Sequence, residues 1–195
     1  MSRTIGKITS KAAVFVYKAD GTEADAWEAI LELRRREGEL RGESHAAPEP
    51  MLEGLRTWNR AQQDNQYNTF LCIYAHMGSL GVNSVGGNPD TRITWTDLKN
   101  ALPLRVSNLW LVGCESERCI SAWEGNHPIY RYLAVTTESR YFLELLPLFR
   151  HEISTHDIVP FDQIPARLRH DNSALAACTR YFRAEGPHLK PAFEP

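Results

Sequence analysis

The sequence predicts an α/β fold built on a mostly parallel sheet. Three observations predict it. Residues 69–75 and 109–113 are short runs of consecutive apolar, branched and aromatic side chains, the composition of strands buried on both faces. Between them, residues 94–102 carry the pattern of a short helix. A strand, a helix and a second strand make a right-handed crossover that leaves the two strands parallel and close together. Both runs also stop abruptly, at His76 and at Cys114. The carboxyl ends of parallel strands open on one edge of the sheet, where open α/β sheets place their sites.

The other elements follow in order. Residues 12–18 read as the first strand and 19–22 as a turn, with Thr22 or Asp25 available to cap a helix over 23–37. That helix sets Ala26, Ile30 and Leu33 on one face and Glu32, Arg35 and Arg36 on the other. Residues 38–50 contain glycine and proline without periodicity, so a mobile surface loop is expected. A helix over 51–62 follows, with Leu52, Leu55 and Trp58 as its apolar stripe. Residues 78–90 hold Gly78, Gly81, Gly86 and Gly87. Without a Gly-Lys-Ser/Thr run or a helix directly after the glycines, they read as a turn-rich excursion or small hairpin rather than a phosphate cradle.

Beyond Cys114 a short helix is expected over 115–124, a turn over 125–128, a strand over 130–136 and a helix from 139 to 152. Residues 153–165 are irregular, with 158–159 a candidate edge strand. A last helix is expected over 172–184 and an extended tail over 185–195. No internal repeat occurs, and one domain over residues 1–195 accounts for the whole pattern.

Composition narrows the function classes. The 195 residues are 43% hydrophobic and 24% charged with a formal net charge of −2, so a polyanion-binding surface is not indicated and no nucleic-acid partner is expected. No apolar run approaches the roughly 20 residues that span a bilayer, and the first ten residues lack the apolar core of a signal peptide. A reducing cytoplasmic setting is the simplest reading. Cys72 lies inside an apolar run and reads as core, and Cys72, Cys114, Cys119 and Cys178 form no Cys-x-x-Cys pair. Neither a metal nor a cofactor is therefore expected.

The chemistry available at one edge is that of a thiol beside an imidazole. A free thiol with a pKa of about 8.5 is only a few per cent thiolate near neutrality. Cys114 at the start of the expected helix gains from its N-terminal dipole, and His76 is placed to act as general base and acid. The backbone N–H groups of Gly78 and Cys114 are the natural oxyanion donors. Against this stands the commoner fate of a single cysteine or histidine, which is to fill a core or satisfy a local hydrogen bond. Asp97 reads as helix decoration, and Glu115 and Glu117 as first-turn acids serving the helix dipole.

Residues 74–78 (Tyr-Ala-His-Met-Gly), 93–98 (Ile-Thr-Trp-Thr-Asp-Leu), 109–116 (Leu-Trp-Leu-Val-Gly-Cys-Glu-Ser) and 134–139 (Ala-Val-Thr-Thr-Glu-Ser) resemble, in order and spacing, the caspase-like cysteine peptidases. The match is closest to their bacterial CHAT-type branch and covers residues 69–152. The resemblance implies a three-layer α/β/α sandwich and a cysteine endopeptidase that acts on proteins or peptides through a thioester. It implies His76 as acid/base, Cys114 as nucleophile, the Gly78 and Cys114 amides as oxyanion donors, and Met77, Glu115 and Ser116 at the flank of the substrate site. Such relatives often serve as effectors of bacterial defence or signalling, and a chain without a fused sensor implies a separate activating partner. Two positions depart from the family pattern: Met77 intervenes between the histidine and the glycine, and Val112 stands where relatives often carry an acidic or polar specificity residue. The competing reading is a catalytically inactive interaction or regulatory module of the same fold. A third is a flavodoxin-like flavin or nucleotide domain using residues 81–88.

Overall fold

The computed structural model describes residues 2–17, 24–37, 39–65, 69–82, 89–104, 106–113, 116, 129–136, 149–151, 180–185 and 188–191. In chain order these form β1 (Arg3–Ile5), β2 (Ala12–Tyr17), α1 (Ala24–Glu37), β3 (Leu40–His45), α2 (Pro48–Arg60), β4 (Phe70–Ala75), β5 (Met77–Gly78), β6 (Gly81–Val82), β7 (Ile93–Thr94), α3 (Trp95–Asn100), β8 (Val106–Val112), β9 (Ile129–Thr136), β10 (Arg180–Glu185) and β11 (His188–Pro191).

Every residue of β2 and β4 is buried, as expected for apolar runs covered on both faces. The main sheet has the order β1-β3-β2-β4-β8-β9-β10-β11. Its five central strands, β3, β2, β4, β8 and β9, run parallel. β1 joins β3 antiparallel at one end, and β10 and β11 add antiparallel at the other. Among the parallel strands the first in sequence, β2, lies between the second, β3, and the third, β4. Strand order therefore reverses between β2 and β4, and such a switch point leaves a crevice outside the carboxyl ends of its strands.

Alternation along the strands divides the core in two. Phe15, Tyr17, Ile73, Ala75 and Leu111 pack with Leu55 and Trp58 of α2 and with Trp95 and Leu98 of α3. Val14, Val16, Cys72, Tyr74 and Trp110 pack with Trp27, Ile30 and Leu33 of α1 and with Phe149. Trp110 and Phe149 meet edge to face, with ring centroids 5.4 Å apart. The α/β class and the parallel character of the sheet thus agree with the sequence reading.

Three segments differ from expectation. Residues 38–50 are not a surface loop: β3 occupies Leu40–His45 inside the sheet, between β1 and β2. Arg41, Glu43 and His45 carry its period-2 alternation, and Glu43 pairs with both of the others. Helix α2 begins at Pro48, not residue 51, because proline at the first helical position has no donor to lose and a φ already suited to the turn. Residues 180–184, expected as the end of a helix, belong to β10, which pairs with β9 on one side and β11 on the other. Aromatic Tyr181 and Phe182 suit a strand, and β11 gives the expected extended tail a partner. The expected helix over 139–152 is helical where described, at 149–151. The expected helix over 115–124, apart from Ser116, lies outside the described residues, as do the irregular stretch 153–165 and the first part of the expected helix, 172–179.

Candidate active site at the carboxyl edge of the sheet

Strand β4 stays buried to its last residue, Ala75, and His76 is the first residue beyond it. The chain then turns into a small antiparallel sheet. Met77 pairs with Val82 and Gly78 with Gly81, closing a hairpin through Ser79 and Leu80, while β6 pairs onward with β7. The excursion expected after residue 78 is therefore a hairpin in its first half. Residues 83–88 lie outside the described residues. Gly81 has φ +144°, a conformation that L side chains rarely adopt, and a β-carbon there would collide with the Ile93 carbonyl. The indole N–H of buried Trp95 donates to the Ser79 carbonyl at 3.3 Å. Helix α3 starts at once after β7 because Thr94 and Asp97 form a capping box. The Asp97 N–H donates to the Thr94 hydroxyl at 3.1 Å, and the Thr94 N–H donates to the Asp97 carboxylate at 3.2 Å. Asp97 therefore serves its helix, as its place in the sequence suggests.

Strand β8 lies beside β4 with Tyr74 opposite Val112. The next residue, Gly113, is buried and packed against the exit of β4. A β-carbon there would collide with the Ala75 carbonyl and lie 2.8 Å from Met77 Cγ and 3.1 Å from Met77 Sδ. Glycine is the side chain that permits this approach. Gly113 thus contacts the residues on both sides of His76, and Cys114 is its neighbour in the chain. Cys114 and Glu115 lie outside the described residues. Ser116, expected at the substrate flank, is fully buried, and its N–H donates to the Gly113 carbonyl at 3.3 Å.

His76 is partly buried, and its Nε2 is enclosed without a hydrogen-bond partner among the described residues. Enclosed ring nitrogens normally have partners, so this nitrogen holds unused donor or acceptor capacity at the strand exit. Met77 is buried and Gly78 partly buried. Leu80 at the hairpin tip is 58% exposed. Cys72 is buried in the middle of β4, and burial pushes its thiol far above the ordinary range, which makes it inert. Among the described residues no group of three His, Cys, Asp or Glu could hold a metal ion, and no helix is long and apolar enough to cross a membrane.

No protein-family model matches this chain. No curated protein sequence matches it either.

Two features of this edge escape a reading of the sequence. Tyr17 ends β2 opposite Ala75, and its hydroxyl donates to the Thr91 carbonyl at 2.5 Å. On β3, Glu43 bridges Arg41 and His45: its Oε1 lies 2.6 Å from Arg41 and its Oε2 2.7 Å from His45 Nε2. His45 Nδ1 is 3.1 Å from the Ser2 hydroxyl. The spacing of residues 41, 43 and 45, polar at every second position, was the available signal for that strand.

Proposed function

We propose that the chain is a cysteine endopeptidase with a caspase-like three-layer α/β/α architecture and a His76/Cys114 dyad. The observation that carries this reading is the packing of Gly113 against Ala75 and Met77, which brings the residue before Cys114 against both chain neighbours of His76. Three further features support it. The two exits lie at the carboxyl edge of a parallel sheet, next to a reversal of strand order. His76 keeps Nε2 unpartnered among the described residues. The order and spacing of the motifs resemble the caspase-like, CHAT-type peptidases.

In this mechanism His76 takes the proton from the Cys114 thiol, and the thiolate attacks the carbonyl carbon of a peptide bond. The oxygen of the tetrahedral intermediate draws hydrogen bonds from the backbone N–H groups of Gly78 and Cys114. Collapse of the intermediate breaks the C–N bond, and the proton held on His76 passes to the departing amine. Water, with His76 again as base, then attacks the thioester and releases the acid and the thiol. The enzyme works on a protein or peptide in a reducing cytoplasm, without a cofactor. A separate partner switches it on as an effector of bacterial defence or signalling.

One observation favours the second reading, a non-catalytic interaction module. Gly78 is a ladder residue of the hairpin, paired with Gly81. In an antiparallel ladder its N–H is free for an oxyanion only if this pair is one of the unbonded ones. The pH dependence of Cys114 alkylation, measured in a Cys119→Ala background with and without His76→Ala, separates the two. A thiolate pKa well below the free value and lost without His76 is the peptidase result. An ordinary thiol indifferent to His76, with or without added partner, is the module result.

A further inference from the structure

After His76 the chain leaves the main sheet, and residues 77–82 and 89–94 form the two limbs of an excursion that ends at the start of α3. Two buried aromatic side chains hold the limbs of this excursion, each through its one polar atom. On the outgoing limb Trp95 donates to the Ser79 carbonyl. On the return limb Tyr17 donates to the Thr91 carbonyl, across 74 residues of chain. Tyr17 is 1% exposed and is the last residue of β2, in register with Ala75. It therefore stands at the reversal of strand order, one strand away from the exit that carries His76. The ring alone would fill this end of the core as phenylalanine does. The hydroxyl adds a bond to the Thr91 main-chain carbonyl that a phenylalanine ring could not make.

We infer that Tyr17 is a positioning residue of the candidate site: its hydroxyl ties the return limb of the excursion to the carboxyl end of β2 and thereby fixes the hairpin that begins at Met77, directly beside His76. Its consequence for reactivity rests on the His76/Cys114 reading. The tie itself stands on the Tyr17–Thr91 bond alone. Met77 transmits it, being at once a hairpin residue paired with Val82 and a packing neighbour of Gly113. A loosened return limb loosens β7, then β6, then Met77, and so the spacing between the two strand exits.

The test is Tyr17→Phe in the full chain, which keeps the ring and removes the hydroxyl. Amide hydrogen exchange over residues 77–82 and 89–94 is measured together with the pH profile of Cys114 alkylation in the Cys119→Ala background. Loss of one hydrogen bond is expected to speed exchange in these limbs roughly three- to tenfold, with exchange in β2 and β4 unchanged. The alkylation profile is expected to move towards that of His76→Ala. Unchanged exchange in the limbs overturns the tie. Faster exchange with a wild-type alkylation profile overturns the positioning role and leaves a purely structural bond. A wild-type protein whose Cys114 behaves as an ordinary thiol sinks the peptidase reading, and the positioning role with it. The exchange result still decides whether the tie exists. Tyr17→Leu, which also removes the ring, is the comparison for packing: general loss of protection there and not in Tyr17→Phe separates the ring's role from the hydroxyl's.

Discussion

Glu43 and His45 meet at 2.7 Å on the interior strand β3, both side chains almost fully buried, with Arg41 closing the other carboxylate oxygen. A buried carboxylate held between two partners is costly to disturb, because removing one member strands the others without compensation. Glu43→Ala is expected to lower stability by about 3–5 kcal/mol, read by urea denaturation. A loss under about 1 kcal/mol would mean that water or a new partner takes the place of the carboxylate.

The same cluster gives an acid limb to the stability profile. Burial opposes the charge on Glu43, yet the bonds from His45 and Arg41 outweigh it and hold the carboxyl below its ordinary value of 4.5. A folded value below the unfolded one contributes stability that is complete above about pH 4.5 and is lost as pH falls through the folded value. Wild type should therefore show a steep decline on acidification below pH 4.5. Glu43→Gln should be less stable at neutrality and shallower in that range. Parallel curves for the two proteins would refute the assignment.

Gly113→Ala is expected to destabilise the fold by at least about 1–3 kcal/mol, since one of the groups its β-carbon meets is the Ala75 main-chain carbonyl, which cannot turn aside. Adding Met77→Ala should recover only part of the loss, because the flexible Met77 side chain is the lesser obstacle. Full recovery in the double variant would show that the main-chain contact yields. Thermal melts of the three variants give the answer.

Cys72 is expected to resist iodoacetamide in the folded protein at pH 8 and to react once denatured, its thiol being buried and held protonated. Peptide mapping after alkylation measures this and also certifies that folded-state thiol signals come from elsewhere in the chain.

Leu80→Ser should leave stability within about 0.5 kcal/mol of wild type, because the side chain stands outside the core at the hairpin tip. A larger loss in a thermal melt would mean that Leu80 covers something the fold requires.

The parts of the fold legible in the sequence were those whose burial is complete. β2, β4 and the second half of β8, residues 109–112, announce themselves as apolar runs, and residues 94–102 carry the helix pattern that becomes α3. β3 was hidden because its buried face toward α2 is written in Arg41, Glu43 and His45, residue types that read as solvated until their pairing is seen. The start of α2 is hard to read because Pro48 and Pro50 have the look of a loop, whereas proline also belongs in a helix's first turn. At the candidate site, His76 and the closeness of the two exits were readable from strand ends. The Tyr17–Thr91 tie was not, since a tyrosine closing an apolar strand looks like core, and its partner is a main-chain carbonyl that carries no sequence signal.

The position of β2 has a consequence for how the chain is made. It is the first of the parallel strands to be synthesised, and it ends as an inner one, bonded on one side to β3 and on the other to β4. No hairpin can shelter it, because both neighbours are parallel and each arrives only after an intervening segment. Until β4 has emerged, at least one flank of Ala12–Tyr17 offers unpaired main-chain groups beside wholly apolar side chains, the combination that recruits a wrong strand from another molecule. Yield in translation should therefore depend on how quickly β4 reaches β2, and chains truncated before Phe70 should aggregate more than the 195-residue chain.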